Sequence, residues 1–336
     1  MAAAFPRASR RAVPAAREGV AEKVAFTAGG EPFRWADVVA AAVQYGLWAD
    51  AEELTRAGLA CHARLVSEGE EVDRRELAVA TERFRRGNDL LAADDVAAWL
   101  RTWGVSDGEL RAHLAQALLR ERFADELAET VARHPAGDAD VAAALWPDAV
   151  CAGILARAAR RLADDVALAV SAGEAAGAGD EAIARARETA DRVRAEAVTD
   201  HGLEREVDRH RLEWLRIDGV AVRAASEDVA REIALCVRED GRALGEVAAG
   251  AGLAAGSFRA YAVDLPADLA PRVVAARPTE LVGPLAWEDG FALLLVEAKT
   301  PPSLTDPDVR SRAWERVLAR LAERAVRDHV EWHERL

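Results

Sequence analysis

Seven histidines, three cysteines and one glycine-rich run are the residues in this chain on which chemistry could rest. His329 and His333 stand four apart with Glu331 between them, the spacing that puts two imidazoles on one helix face for a divalent metal. The pattern is not HExxH, and histidine near a helix C-terminus is favoured by the macrodipole alone, so no metal is expected. Asp200-His201 and Asp208-Arg209-His210 set carboxylates beside imidazoles as an acid/base couple would. They fall where a charge-rich helix ends, and a solvated face is the simpler reading. Cys61-His62 lacks a third, orienting group and reads as a buried thiol next to a surface imidazole. Gly250 to Gly256 follows a helix, not a strand, and lacks the lysine and spacing of a phosphate loop. No catalytic residue, metal ligand or cofactor is assigned.

The 336 residues weigh 36.1 kDa, which suits two domains better than one. With 58 acidic against 44 basic side chains, the net charge is −14. Phosphate binding needs a positive surface, so nucleic acid is excluded as the main partner. The same charge biases any peptide ligand toward basic sequences. Cys61, Cys151 and Cys236 lie far apart with no CxxC, which argues against a disulfide framework or a zinc site and for a reducing compartment. No run approaches the ~20 apolar residues of a membrane-spanning helix. The N-terminal residues carry arginines without an apolar core, so residues 1–23 are expected to be a mobile tail and not a secretory signal. A soluble, cytoplasmic protein with no membrane partner is expected.

Which elements would position these residues follows from periodicity. Val24 to Phe33 is extended and broken at Gly29-Gly30; helical spacing then runs over 35–48, 51–67, 72–91, 93–103 and 109–134. Ser106 to Glu109 reads as a capping box, with Gly104 closing the helix before it. Residues 135–204 are rich in alanine: one helix over 138–170, a Gly/Ala linker from Ser171 to Gly179, and a solvated helix from Asp180. At Leu212 the period changes. Leu212–Ile217 reads as a strand ending in an Asp218-Gly219 turn, followed by helices over 226–239 and 242–251, and a strand over 258–263. Pro266 opens a short helix. Leu281–Trp287 and Phe291–Ala298 flank Glu288-Asp289-Gly290 as a hairpin. Asp306-Pro307 starts a last helix expected to reach about His333. Of nine tryptophans, Trp35, Trp48, Trp99, Trp103 and Trp314 fall in the helical part, as packing groups or as the walls of a peptide groove.

The segment Glu280-Leu281-Val282-Gly283-Pro284-Leu285 followed by Gly290-Phe291-Ala292-Leu293 resembles the closing hairpin of parvulin-type peptidyl-prolyl isomerases, with Leu265 to Leu269 where that family's helix begins. Gly30-Glu31-Pro32-Phe33 before helices, with one more helix after the parvulin-like part, is similar to the layout of SurA and PpiC and to PpiC-related peptide maturation proteins. The resemblance covers residues 24–134 and 205–335. It implies an α+β fold, mostly α: a SurA-like N-terminal helical domain (24–134) completed by a C-terminal helix (303–336) packing on it. A helical insert (135–204) and a parvulin-like βααβαββ domain (205–302) would lie between.

Active members of that family use two histidines around a Cys or Asp. Here Ala292 stands on the last strand, and Leu215 or Arg216 on the first. The resemblance therefore implies peptide binding through an apolar pocket of Phe258, Leu265, Leu269 and Phe291, with core packing as their plain alternative role. The expected function is a peptide-binding chaperone or accessory protein handling an unfolded or precursor peptide during its maturation. A peptide-modifying enzyme is the further expected partner. An isomerase with an altered site, and a scaffold that docks a partner through 135–200, are the alternatives.

Overall fold

In the computed structural model, which describes residues 17–287 and 290–333, Gly29 and Gly30 take φ of 58° and 86°, as a two-residue hairpin turn requires. The turn joins β1 (Val24–Ala28) to β2 (Glu31–Arg34) and stacks Phe26 on Phe33 at 4.9 Å. Next come α1 (Trp35–Gln44) and α2 (Leu47–Ser67), divided by Gly46 at φ 79°, so the helix expected over 35–48 is two. Asp73 caps α3 (Arg74–Gly87) by accepting from the amides of Arg75 and Glu76. Gly104 ends α4 (Ala93–Trp103) in the left-handed conformation. Ser106 and Glu109 form the expected capping box of α5 (Asp107–Arg122). The helix breaks at Phe123 and resumes as α6 (Leu127–Arg133).

The single helix expected over 138–170 is α7 (Asp138–Cys151) and α8 (Ile154–Ser171), bent by 63° where Gly153 adopts φ 67°. Nor is 135–204 an insert of its own: residues up to 195 belong with the helical domain, and 196–204 with the second unit. Leu155, Leu162 and Val166 of α8 are buried with Phe26 and Trp35 in one core, and α9 (Asp180–Ala197) adds Ile183. The expected linker is anchored as well: Ala176 packs against that core, and a Cβ on Gly29 would lie 3.2 Å from it. A docking element that can be removed does not fit this burial. No single helix among the described residues is long and apolar enough to cross a membrane.

Residues 1–16 of the expected tail lie outside the described residues, but 17–23 are packed. Arg17 pairs with Glu109 at 2.8 Å, Val20 is buried, and Lys23 donates to the Thr102 carbonyl near the end of α4.

The described residues divide into two units, 17–195 with 322–333, and 196–321. The second starts with α10 (Asp200–Arg209) and then runs β3 (Arg216–Ala224), α11 (Glu227–Glu239), α12 (Leu244–Gly250), β4 (Ala255–Tyr261), α13 (Ala270–Ala275), β5 (Leu281–Trp287) and β6 (Gly290–Thr300). From β3 onward this is the expected βααβαββ order. The strands form one antiparallel sheet in the order β4-β3-β6-β5. Asp218-Gly219 is not a turn: β3 runs through it. The register shifts there against β6, and a Cβ on Gly219 would sit 2.1 Å from the Leu295 carbonyl oxygen, so glycine marks close backbone approach. Pro266 makes only one turn, and α13 begins at Ala270. Glu288 and Asp289 of the expected hairpin turn lie outside the described residues; the strands pair as far as Trp287 and Gly290. Lys299 donates to the Val274 and Ala276 carbonyls at the end of α13.

The last helix, α14 (Pro307–His329), stops short of His333. Val309 and Ala313 pack with Leu203, Trp214 and Tyr261 in the second unit. The chain then extends as β7 (Val330–Trp332), antiparallel to β1, which gives the order β2-β1-β7. The C-terminal segment thus completes the first unit's sheet with a strand, not with its helix end. The cause is a partner at the other end of the chain: Trp332 meets Phe26 at 5.3 Å, and the His333 amide donates to the Ala25 carbonyl.

Two measurements check this account. Leu162→Ala should lower the unfolding free energy by about 2–5 kcal/mol in denaturant titration, a full core penalty and not the small effect of a solvated insert. Burial pushes the Asp164 carboxyl on α8 up to about 6. The folded state therefore binds this proton more tightly than the unfolded chain, and stability falls as pH rises from about 4 through 6. With a discount for its partial exposure, Asp164→Asn should stabilise the protein by about 1 kcal/mol at pH 7.5 and by nothing at pH 3.5.

Candidate functional site

The four residues expected to form a pocket do not share one face of the sheet. Side chains alternate across a strand. On β6, Leu294 and Val296 face the α13 side, where Leu265, Leu269 and Phe258 pack together. Leu293 and Phe291 face α11 and α12 with Val222, Ile233 and Leu244. Three of the four are brought together; Phe291 lies across the sheet from them. Leu265 and Leu269 are buried and Phe258 is half-buried, so the α13 face is mostly packed core.

Ala292 is opposite Arg223 of β3 and Leu285 of β5, and is 3% exposed. Gly283 approaches so closely that a Cβ there would lie 2.6 Å from the Ala292 carbonyl oxygen. Its φ of 120° also disfavours a side chain. Gly283 thus has a steric reason to be glycine that is independent of catalysis. Arg238 holds this stretch of β5 by donating to the carbonyls of Leu281 and Gly283. Neither the expected first strand nor the observed β3 contains a histidine.

Polar groups do gather at one end of β3 and β4, but they satisfy one another. Asp218 accepts from Arg259 at 2.6 Å and Arg216 at 3.3 Å, and the Arg259 bond holds its carboxyl below the usual range. Tyr261 donates to Asp306 at 2.9 Å, and burial followed by that bond pushes the phenol up to about 12. Arg312 lies over the Tyr261 ring and pairs with Asp264. Neutral Tyr261 is thus a fixed donor and these carboxylates are matched by guanidiniums. Such a network positions strands and does not move protons.

In the first unit, a cleft of about 830 Å³ has Trp99, Trp103 and Leu90 on its walls, with Arg157 and Asp95 beside them. Trp99 is half-buried. It sits edge-on to Phe84 at 5.4 Å and near Trp103 at 6.4 Å; Trp103 is in turn edge-on to Trp35 at 4.5 Å. The Trp146 indole donates to the Trp103 carbonyl at 2.9 Å. The rings are locked by one another and one face of the cluster opens on the cleft. This suits an apolar side chain bound against a rigid aromatic wall.

The other sequence candidates resolve as local structure. His333 bonds Thr27 at 2.8 Å, and β7 takes it off the helix face of His329, so the metal spacing does not form. Cys61 is buried with its thiol pushed up by burial, and His62 is exposed. His210 is more ordered than a solvated helix end implies: it stacks on Trp214 at 4.7 Å and meets Glu213 at 2.8 Å. The sequence reading missed the pair His113 and Asp148, at 2.8 Å, 5% and 2% exposed. The available signal was a charged residue inside the apolar run Leu145 to Val150. Their burial from solvent leaves them a core hydrogen bond.

No family model matches this chain, and no curated protein matches it. Among solved structures it is similar to a chain from the description of the virulence factor PEB4 and the periplasmic protein Cj1289 as two structurally related SurA-like chaperones in Campylobacter jejuni. The identity is 11% and the TM-score 0.21, covering 94% of this chain and 100% of that one. A likeness at that level carries no argument about site or activity.

Because the sheet separates Phe291 from Leu269, Leu269→Ala and Phe291→Ala should destabilise independently. In denaturant titrations the double variant should equal the sum of the singles within about 0.5 kcal/mol; residues sharing one pocket would couple more strongly.

Proposed function

We propose that this chain is a peptide-binding chaperone or accessory protein. In this reading the four-stranded unit is a parvulin-like module without isomerase histidines, and the first unit holds a client segment. The client is an unfolded or precursor peptide kept available to a peptide-modifying enzyme in the cytoplasm. The observation that carries the reading is the cleft lined by half-buried Trp99, which is backed by the buried Trp103 ring in a helical core. Extended peptides dock on such surfaces through a few apolar anchors, with weak demands on sequence. Ala292 supports a binding role over a catalytic one. Prolyl isomerisation crosses a barrier of about 18–20 kcal/mol, and catalysis needs groups that stabilise the twisted amide. Beside Ala292 the paired residues are Leu285 and Arg223, and neither is a histidine.

Light scattering of a reduced, aggregating insulin B chain tests the reading. The protein should suppress aggregation near stoichiometric amounts, and Trp99→Ala should weaken binding about tenfold, or ~1.4 kcal/mol. Failure to protect any unfolded chain would sink it. Exchange spectroscopy on an X-Pro peptide separates binding from catalysis: broadened lines without faster cis/trans exchange are expected, and accelerated exchange at catalytic amounts of protein would establish an isomerase instead.

A further inference from the structure

A second cleft in the first unit, of about 880 Å³, lies between α2 and α6. Its floor is apolar, formed by Leu54, Ala57, Leu127 and Val131, and Arg120 of α5 lines it. The Arg120 guanidinium is half-buried, has no ion pair among the described residues, and makes a single long bond of 3.4 Å to the Leu54 carbonyl. A guanidinium presents five donors in a rigid fork, and the Leu54 carbonyl takes one of them. Burial holds this group below its ordinary range, against the opposing pull of the buried Asp148 carboxylate. Beside it, Gln116 is 6% exposed and its Oε1 has no partner. Both rest over Gly58, where a Cβ would lie 2.8 Å from Arg120 Nη1 and 2.6 Å from Gln116 Oε1. The cation is therefore seated on the α2 backbone, where a longer side chain would displace it.

The rim carries the opposite charge. Asp50, Glu53 and Asp125 line the mouth, are exposed, and make no ion pair among the described residues. Arg56, also at the mouth, is already paired with Asp138 at 2.8 Å. The cleft thus has a positive base, an apolar floor and a negative rim. A simple anion is repelled at the mouth, and a purely basic peptide leaves the base unsatisfied.

We propose that this cleft binds the carboxyl terminus of a peptide: the terminal carboxylate on Arg120, an apolar last side chain over Leu54 and Leu127, and basic residues just upstream against the acidic rim. Bidentate geometry between carboxylate and guanidinium supplies the specificity for a free chain end. This shares with the preceding reading only that the ligand is a peptide. It names a second site and the chemistry of its ligand.

Fluorescence anisotropy with the labelled peptide Lys-Arg-Ala-Leu tests it, using the free acid and the C-terminal amide on the full chain. The acid should bind at least tenfold more tightly than the amide. Arg120→Gln should abolish that preference, and Arg120→Lys should retain part of it. Neutralising Asp50, Glu53 and Asp125 together should weaken both peptides and flatten their salt dependence. Equal binding of acid and amide overturns the proposal, as does an acid preference that survives in folded Arg120→Gln. Octanoate binding as tightly as the peptide also overturns it, by assigning the cleft to small amphiphilic carboxylates. If Arg120→Gln fails to fold, the acid/amide comparison on the unaltered chain decides. An acid preference without insulin protection removes the chaperone reading and keeps this site; protection without the preference does the reverse.

Discussion

Burial of α8 is the constraint on which the first unit depends. Its alanines at 158, 159 and 163 let neighbouring backbones come close, and its leucines fill the space between them. A helix with eleven of its eighteen residues buried must also satisfy the polar groups on its buried face. Asp165 is matched by the Tyr45 hydroxyl at 2.7 Å and Arg194 at 2.6 Å, with Arg161 over the Tyr45 ring. Those bonds tie α1 and α9 to α8, and the bend at Gly153 lets α7 lie against the same core.

The second unit follows from a different economy of backbone. Gly219 and Gly283 are both points where one strand nearly touches β6, and at both a side chain would strike a carbonyl oxygen. Its sheet carries two separate apolar faces. A residue's parity on β6 decides which face it joins, and that parity divides the expected pocket.

Much of the element order was legible because each signal was local. The capping box at Ser106, the stop at Gly104, the Gly29-Gly30 turn and the strand Leu281–Trp287 are read from a few adjacent residues, and they stand where expected. Two helices read as continuous across Gly46 and Gly153, whose positive φ breaks them locally; the other misreadings share a cause, partners distant in sequence. Asp218-Gly219 looks like a turn until β6 is beside it. The alanine-rich region looks like a separate insert until its small residues are seen to allow close helix packing. Val330–Trp332 continues a helical period, but β1 recruits it. The site was less legible still. The residues around Arg120 come from α2, α5 and α6, and no spacing within one element announces them; for Trp99 and Trp103 the sequence left packing and a groove wall both open.

The two lysines of this chain share an unusual occupation. Both ammonium groups serve backbone carbonyls near a helix end, Lys23 at Thr102 and Lys299 at Val274 and Ala276. Elsewhere the positive charge is carried by arginine, which acylating reagents and lysine acetyltransferases do not touch. Acylation of either lysine would neutralise the ammonium and uncap a helix in the same event. For this molecule, the extent of lysine modification is a gauge of how often two helix ends come undone.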